Sequence, residues 1–195
     1  MKVLSEIWLV RHGETEWSLS GAHTSRTDIP LTEQGKERAV TLKPYLARQD
    51  FSLVLTSPRQ RAQETCKLAG MGDQAEVDAN LAEWDYGIYE GRTTPEIRKE
   101  HPGWSVWNDP IPEGESLPQV AARAEKVISK AKAAGGKVLI FSHAHFLRIL
   151  TACWMELPPS NGKSLALTTG SLSILGYERE TPVLRLWNRS FETSL

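Results

Sequence analysis

No stretch of this chain approaches the roughly 20 consecutive apolar residues that cross a bilayer, so a membrane-spanning helix is not expected. Charge of one sign is missing too: 23 Lys+Arg against 24 Asp+Glu leave a net charge of −1 over 195 residues. A general nucleic-acid binder carries a basic excess or a Lys/Arg block, and with neither present nucleic acid is not an expected partner. Cysteine is scarce. Cys66 and Cys153 stand far apart without a C-x-x-C pair, which fits a reducing compartment and argues against a disulfide framework or a thiolate zinc site. No repeat, low-complexity tract or Gly/Ser/Pro linker divides the chain, so one domain over 1–195 is expected. The first ten residues hold one lysine, an acid at Glu6 and no small-residue cleavage site; they do not read as a signal peptide, and a cytoplasmic protein is expected.

What is present alternates. Short apolar runs at 7–10, 53–55 and 138–141 read as buried parallel strands, each followed by polar residues. Between them lie helical stretches at 32 to about 48, 58–69 and Leu117–Ala134, the last with Val120, Ala124, Val127, Ile128 and Ala131 at helical spacing. Ser57-Pro58 reads as an N-cap followed by the first helical residue, with Gly70 as the stop, and Pro44 predicts a kink or an end inside the first stretch. Strands at 171–177 and 183–187 are expected at one edge. The alternation implies an α/β protein, a three-layer α/β/α sandwich around a mostly parallel central sheet. Segment 79–116 fits no regular element. It holds Trp84, Tyr86, Tyr89, Trp104 and Trp107 among four prolines and four glycines, and reads as an aromatic insertion walling a pocket.

Open α/β sheets bind ligands at the carboxyl ends of their strands. The first strand runs directly into Arg11-His12-Gly13-Glu14-Thr15, and the strand at 138–141 into Ser142-His143-Ala144-His145. Arg59 and Arg61 lie near the start of the helix after the second strand, where side-chain cations and free helix N–H groups face the same way. Three strand-to-loop transitions thus bring Arg, His, Arg and His to one edge of an otherwise neutral protein. Taken singly, each residue reads equally as a strand cap or a solvated surface group; together they describe a phosphate site.

The blocks Leu9-Val10-Arg11-His12-Gly13-Glu14-Thr15, Pro30-Leu31-Thr32 with Gly35, Ser57-x-x-x-Arg61-Ala62, Leu81-x-Glu83-x-x-x-Gly87-x-x-Glu90-Gly91 and Ser142-His143 occur in this order. They resemble the histidine phosphatase superfamily, which includes the cofactor-dependent phosphoglycerate mutases, over about residues 5 to 187. The resemblance implies a phosphoglycerate mutase-like fold and no cofactor. It implies that His12 is the nucleophile that becomes a phosphohistidine, that Arg11, Arg61 and His143 hold the phosphoryl oxygens, and that Glu83 is the proton donor. Gly13 is expected to let backbone approach the phosphate. His23, Thr24 and Ser25 fall in a loop that the family turns toward substrate, and His145 stands two positions past the pocket histidine; with Ser18, Tyr86 and Arg59 they are the expected substrate contacts.

Ser18 stands where mutases usually have Asn, and the interval of 60 residues from Glu83 to His143 lacks their long basic insertion; the run Glu96-Ile97-Arg98-Lys99-Glu100 is mixed in sign. The blocks around 15–24 and 83–91 are most similar to a phosphatase branch with sedoheptulose-1,7-bisphosphatase and bacterial acid phosphatases. A metal-independent phosphomonoesterase acting on a small phosphorylated metabolite, a sugar phosphate, is the expectation. A phosphoglycerate mutase and a catalytically weak phosphate-binding module are the alternatives. A metal hydrolase is disfavoured because no His-x-x-x-His or carboxylate–histidine spacing suits a ligand set. The oligomeric state is open, a homodimer included.

Overall fold

The computed structural model describes residues 5–191, so Met1 to Leu4 of the opening stretch, and the last four residues of the expected domain, lie outside the described residues. Six strands, β1 (Glu6–Arg11), β2 (Leu53–Thr56), β3 (Ala75–Val77), β4 (Lys137–Ser142), β5 (Leu172–Glu178) and β6 (Thr181–Arg189), form one sheet in the order β3-β2-β4-β1-β5-β6. β3, β2, β4 and β1 run parallel, whereas β5 and β6 are antiparallel at one edge. Alternation along each central strand sorts side chains to two cores. Ile7, Leu9, Val138 and Ile140 face α6 (Leu117–Ala134) and α7 (Ala144–Trp154), while Trp8, Val10, Leu139 and Phe141 face the other layer. That layer holds α2 (Glu33–Thr41), α3 (Lys43–Leu46) and α4 (Gln60–Leu68). The expected three layers are therefore present.

Pro44 acts as the sequence predicts. It cannot donate to the carbonyl four residues back, so α2 ends at Thr41 and α3 restarts with Pro44 in its first turn. The stop at Gly70 also holds: its φ is +80°, and Gly70 and Met71 donate to the carbonyls of Lys67 and Cys66 in a Schellman closure. The reading of Ser57 as an N-cap is wrong. α4 starts at Gln60 with Arg59 at the cap position, because the Ser57 hydroxyl is bound elsewhere. Segment 79–116 is not wholly irregular either. It contains α5 (Thr94–Glu100), started by a capping box in which Glu96 receives the Thr93 amide and Thr93 receives the Glu96 amide. β3 and α7 were not expected from the sequence. Residues 16–20, just ahead of the loop that holds His23, Thr24 and Ser25, form a short helix α1 (Glu16–Ser20).

β1 and β4 are neighbours, yet the chain leaves β1 toward the α2 face and β4 toward the α7 face. A crevice opens at such a switch point, beyond the carboxyl ends of the two strands. Arg11 pairs with Ser142 in register, so His12 and His143 emerge side by side at its floor.

Candidate active site

The rings of His12 and His143 lie 5.1 Å apart, both buried. His12 Nδ1 is 2.7 Å from the Gly13 carbonyl, which only accepts, so Nδ1 carries the proton and the Nε2 lone pair is free. Burial, with the charges of Arg11 and Arg61, holds His12 well below the usual 6.5 and keeps it neutral at neutral pH. His143 is turned by a different contact. Its Nε2 is 2.7 Å from Ser57 Oγ, which also receives the Arg59 amide at 3.3 Å. Among the described residues the buried hydroxyl has no other acceptor, so its proton points to Nε2 and the imidazole proton sits on Nδ1. Burial and the Arg61 charge keep this ring neutral as well.

The arginines are fixed at one end and free at the other. Arg61 is fully buried, and its Nη atoms donate to the carbonyls of Thr27, Thr24 and Ser25 at 3.0, 3.2 and 3.4 Å. Arg11 Nη1 donates to the Leu167 carbonyl, and burial pulls its guanidinium down to about 10, still charged at neutral pH. The Nε atoms of Arg11, Arg59 and Arg61 and Nδ1 of His143 are buried and find no hydrogen-bond partner among the described residues. Buried N–H groups are rarely left so. Three of them belong to residues that charge or ring contact ties to His12. Such a cluster suits an anion with several acceptor oxygens, beside an imidazole lone pair.

Glu83, from segment 79–116, closes the site and is held by the first turn of α7. Its Oε1 accepts the amides of Trp84 and Phe146 at 2.9 and 2.8 Å, and its Oε2 the amide of His145 at 3.1 Å. A carboxyl group has four lone-pair positions, so one remains on Oε2 for a proton. Glu83 lines the same cavity of about 390 Å³ as Arg11 and His12.

Of the other expected residues, Ser18, His23, Thr24, Tyr86 and His145 line this cavity. The Tyr86 hydroxyl and His145 Nδ1 are 2.7 Å apart, and His23 stacks on the Tyr86 ring at 4.7 Å. Burial lowers His23 to about 4, lowers His145 well below 6.5 and raises the Tyr86 phenol well above its ordinary value, so all three are uncharged at neutral pH. Arg61 and His143 lie beside His12, buried. Arg59 and Ser25 are not among the cavity-lining residues. The Ser25 amide donates to Glu90, which also takes the Thr27 amide, so Ser25 staples the loop that grips Arg61 and does not wall the pocket. The Ser18 hydroxyl is largely committed to Thr15 at the start of α1. Trp104 is core, packed under His23 and against Tyr89; Trp17 and Trp107 line the cavity.

The expected part for Gly13 also changes. A Cβ there would sit 2.6 Å from the Gly35 carbonyl, and one on Gly35 would sit 2.3 Å from that of Glu14. The two glycines let the turn after β1 lie against the start of α2, while Thr65 Oγ1 takes the Gly13 amide at 2.9 Å. Ser57 and Thr65 are the supporting residues that sequence reasoning missed, although both stand inside or beside the Ser57-x-x-x-Arg61-Ala62 block. Ser57→Ala leaves His143 free to put its proton on Nε2. A loss of about 1.5–3 kcal/mol in transition-state binding, about 10- to 100-fold in kcat/KM for a phosphomonoester, is expected and steady-state kinetics will measure it. Partial recovery in Ser57→Thr, which keeps the hydroxyl, checks that the bond and not the packing is responsible.

A family model described as the histidine phosphatase superfamily (branch 1) matches residues 7–190. The chain belongs to that superfamily. It is 42% identical over 185 residues to an acid phosphatase of Mycobacterium tuberculosis (strain ATCC 25618 / H37Rv), covering 91% of each chain. It is 33% identical over 182 residues to sedoheptulose 1,7-bisphosphatase of Saccharomyces cerevisiae (strain ATCC 204508 / S288c), covering 76% of this chain and 67% of that one. A solved structure of an open reading frame from Mycobacterium tuberculosis superposes with a TM-score of 0.89 at 38% identity, covering 95% of this chain and 98% of the other. The histidine phosphatases' phosphoglycerate mutase-like architecture is thus the one seen here. No described helix is long and apolar enough to cross a membrane.

Proposed function

We propose that this protein is a phosphomonoesterase that passes the phosphoryl group of a small phosphorylated metabolite, a sugar phosphate, to His12 and then to water. The observation that carries the reading is the buried cluster of unpartnered N–H groups beside an imidazole whose lone pair is free. His12 Nε2 attacks phosphorus and the P–O bond to the leaving group breaks in line. Arg11, Arg61 and His143 hold the three equatorial oxygens as charge redistributes. Glu83 gives its proton to the departing alkoxide, then takes one from the water that attacks the phosphohistidine, which restores His12 and releases inorganic phosphate. The cationic and N–H donors supply the charge stabilisation that a divalent ion supplies in other phosphatases, and among the described residues no group of three or more His, Cys, Asp or Glu is placed to hold a metal ion. Support for a sugar comes from the aromatic faces of Trp17 and Trp107 beside the polar groups of His145, His23 and Ser105 in one cavity, and from the sugar bisphosphatase among the relatives.

The test is a Glu83→Gln variant assayed on an alkyl phosphate and on p-nitrophenyl phosphate, with excess EDTA. An alkoxide needs a proton and p-nitrophenolate scarcely does, so a fall of about 10²- to 10⁴-fold is expected on the alkyl ester and a much smaller one on the aryl ester. Equal losses overturn the assignment of Glu83, and wild-type turnover abolished by EDTA overturns the metal-independent mechanism. Phosphoryl transfer from 2,3-bisphosphoglycerate to 3-phosphoglycerate faster than hydrolysis would make the protein a mutase instead.

A further inference from the structure

Of the described arginines, lysines and carboxylic acids, three line the cavity: Arg11 and Glu83, which the proposed reaction uses, and Arg98, which it does not. Arg98 comes from α5. In the sequence it sits in a run of mixed sign, but the structure sorts that run. Glu96 is turned back onto the Thr93 amide and hydroxyl, and Glu100 forms its ion pair with Arg92 at 2.6 Å. Neither acid pairs with Arg98, and the described residues offer its guanidinium no salt bridge. Its Nε donates to the carbonyl of the buried Trp104 at 2.8 Å, which anchors the group and leaves both Nη atoms, four N–H donors in all, without an acceptor among the described residues.

The wall that carries Arg98 is joined to the rest of the site. Ala22 bridges Thr93, and the His23 amide and carbonyl bond to Arg92 and Gly91 at 2.9 and 2.8 Å, so the loop behind His23 and the start of α5 are one surface. Thr94 on the same helix and His23 touch each other at 3.4 Å, and these two and Ser105, all lining the cavity, bring no anion. A cavity of about 390 Å³ lined by Arg11 after β1 and by Arg98 from α5 has room for a small metabolite with two anionic groups.

Resting on the phosphomonoesterase reading, we infer that the substrate carries a second anionic group, a phosphate or a carboxylate, at the end remote from the phosphoryl group that is transferred, and that Arg98 binds it. The planar fork of a guanidinium takes either anion with two N–H donors. Arg98 touches no reacting atom on this account and sets specificity.

Matched compounds test this: fructose 1,6-bisphosphate against fructose 1-phosphate for a distal phosphate, and 6-phosphogluconate against glucose 6-phosphate for a distal carboxylate. p-Nitrophenyl phosphate serves as the one-anion reference. For at least one pair the wild type is expected to favour the two-anion member in kcat/KM, and the pair that does so tells which anion is read. Arg98→Gln is expected to cut that preference about 10- to 100-fold, the range for a hydrogen bond to a charged group. Arg98→Lys, which lacks the Nε bond to Trp104 but keeps the charge, should retain more of the preference than Arg98→Gln, and Arg98→Glu less. Preference that is lost equally in the Lys and Gln variants marks Arg98 as a strut for Trp104 and overturns the proposal. Hydrolysis of p-nitrophenyl phosphate with no preference in either pair also overturns it, while phosphomonoester hydrolysis stands. Absence of phosphate release from every compound overturns both.

Discussion

His12→Ala is expected to lower kcat for phosphomonoesters by at least about four orders of magnitude, which is about 5 kcal/mol of barrier. Two imidazoles lie 5.1 Å apart, and their contacts decide between them. His12 spends its Nδ1 proton on the Gly13 carbonyl and keeps a lone pair on Nε2, whereas His143 is bound through Nε2 to Ser57 and presents an N–H. Only the former can attack phosphorus. Rapid acid-free quenching of the wild type during turnover should therefore trap an alkali-stable, acid-labile phosphate on His12. His143→Ala should still form that adduct, more slowly, and His12→Ala should form none. Label on His143, or residual activity of His12→Ala above a hundredth of wild type, would reverse the roles. The pH dependence carries the same information. Because burial and two guanidinium groups hold His12 well below 6.5, the acid limb of kcat/KM that reports its protonation in the free enzyme lies well under that pH.

Much of this site was legible because its residues follow strands directly in sequence. Arg11 and His12, and likewise His143, are placed by the same short buried runs that declare β1 and β4, so pattern and position come together. Where the chain was misread, a contact distant in sequence outweighed a local signal. Ser57-Pro58 is a good local cap, yet the hydroxyl goes to His143, 86 residues away, and α4 starts two residues later. α7 follows β4 after a single residue, without a proline or a Ser/Thr/Asp/Asn cap, and its apolar face extends the apolar run of the strand, so no boundary shows. β3 is three residues long, too short for a period of two to register. Arg98 was hidden for another reason: a charge run is neutral on paper until partners are known, and Glu100 is removed from the sum by Arg92, which lies outside the run.

Acid should destabilise the fold well before carboxylates titrate. His12, His23 and His143 are buried, at 6%, 8% and 0% exposure, and His145 is half-buried beside His23; each is held neutral, His23 with its value lowered to about 4 and the other three well below 6.5. In the unfolded chain each takes up a proton as the pH falls through about 6.5, while the folded protein takes up none until the lowered values are reached. The unfolded state therefore binds more protons below about 6.5, and stability must fall with falling pH from there down to about 4, where His23 begins to charge in the fold. Four such groups remove about 5.5 kcal/mol between pH 7.5 and 5.5, a large share of the roughly 5–15 kcal/mol that holds a domain together. In a chain of this size that is a drop in Tm of about 11–22 °C. Urea unfolding at a series of pH values measures the slope, which should approach four protons taken up per molecule unfolded near pH 5.5. His23→Asn should remove one of the four without touching His12 or His143. An unfolding free energy that stays flat from pH 7.5 to 5.5 would mean that these imidazoles are protonated in the folded state, and with His12 protonated its Nε2 would hold no lone pair for phosphorus.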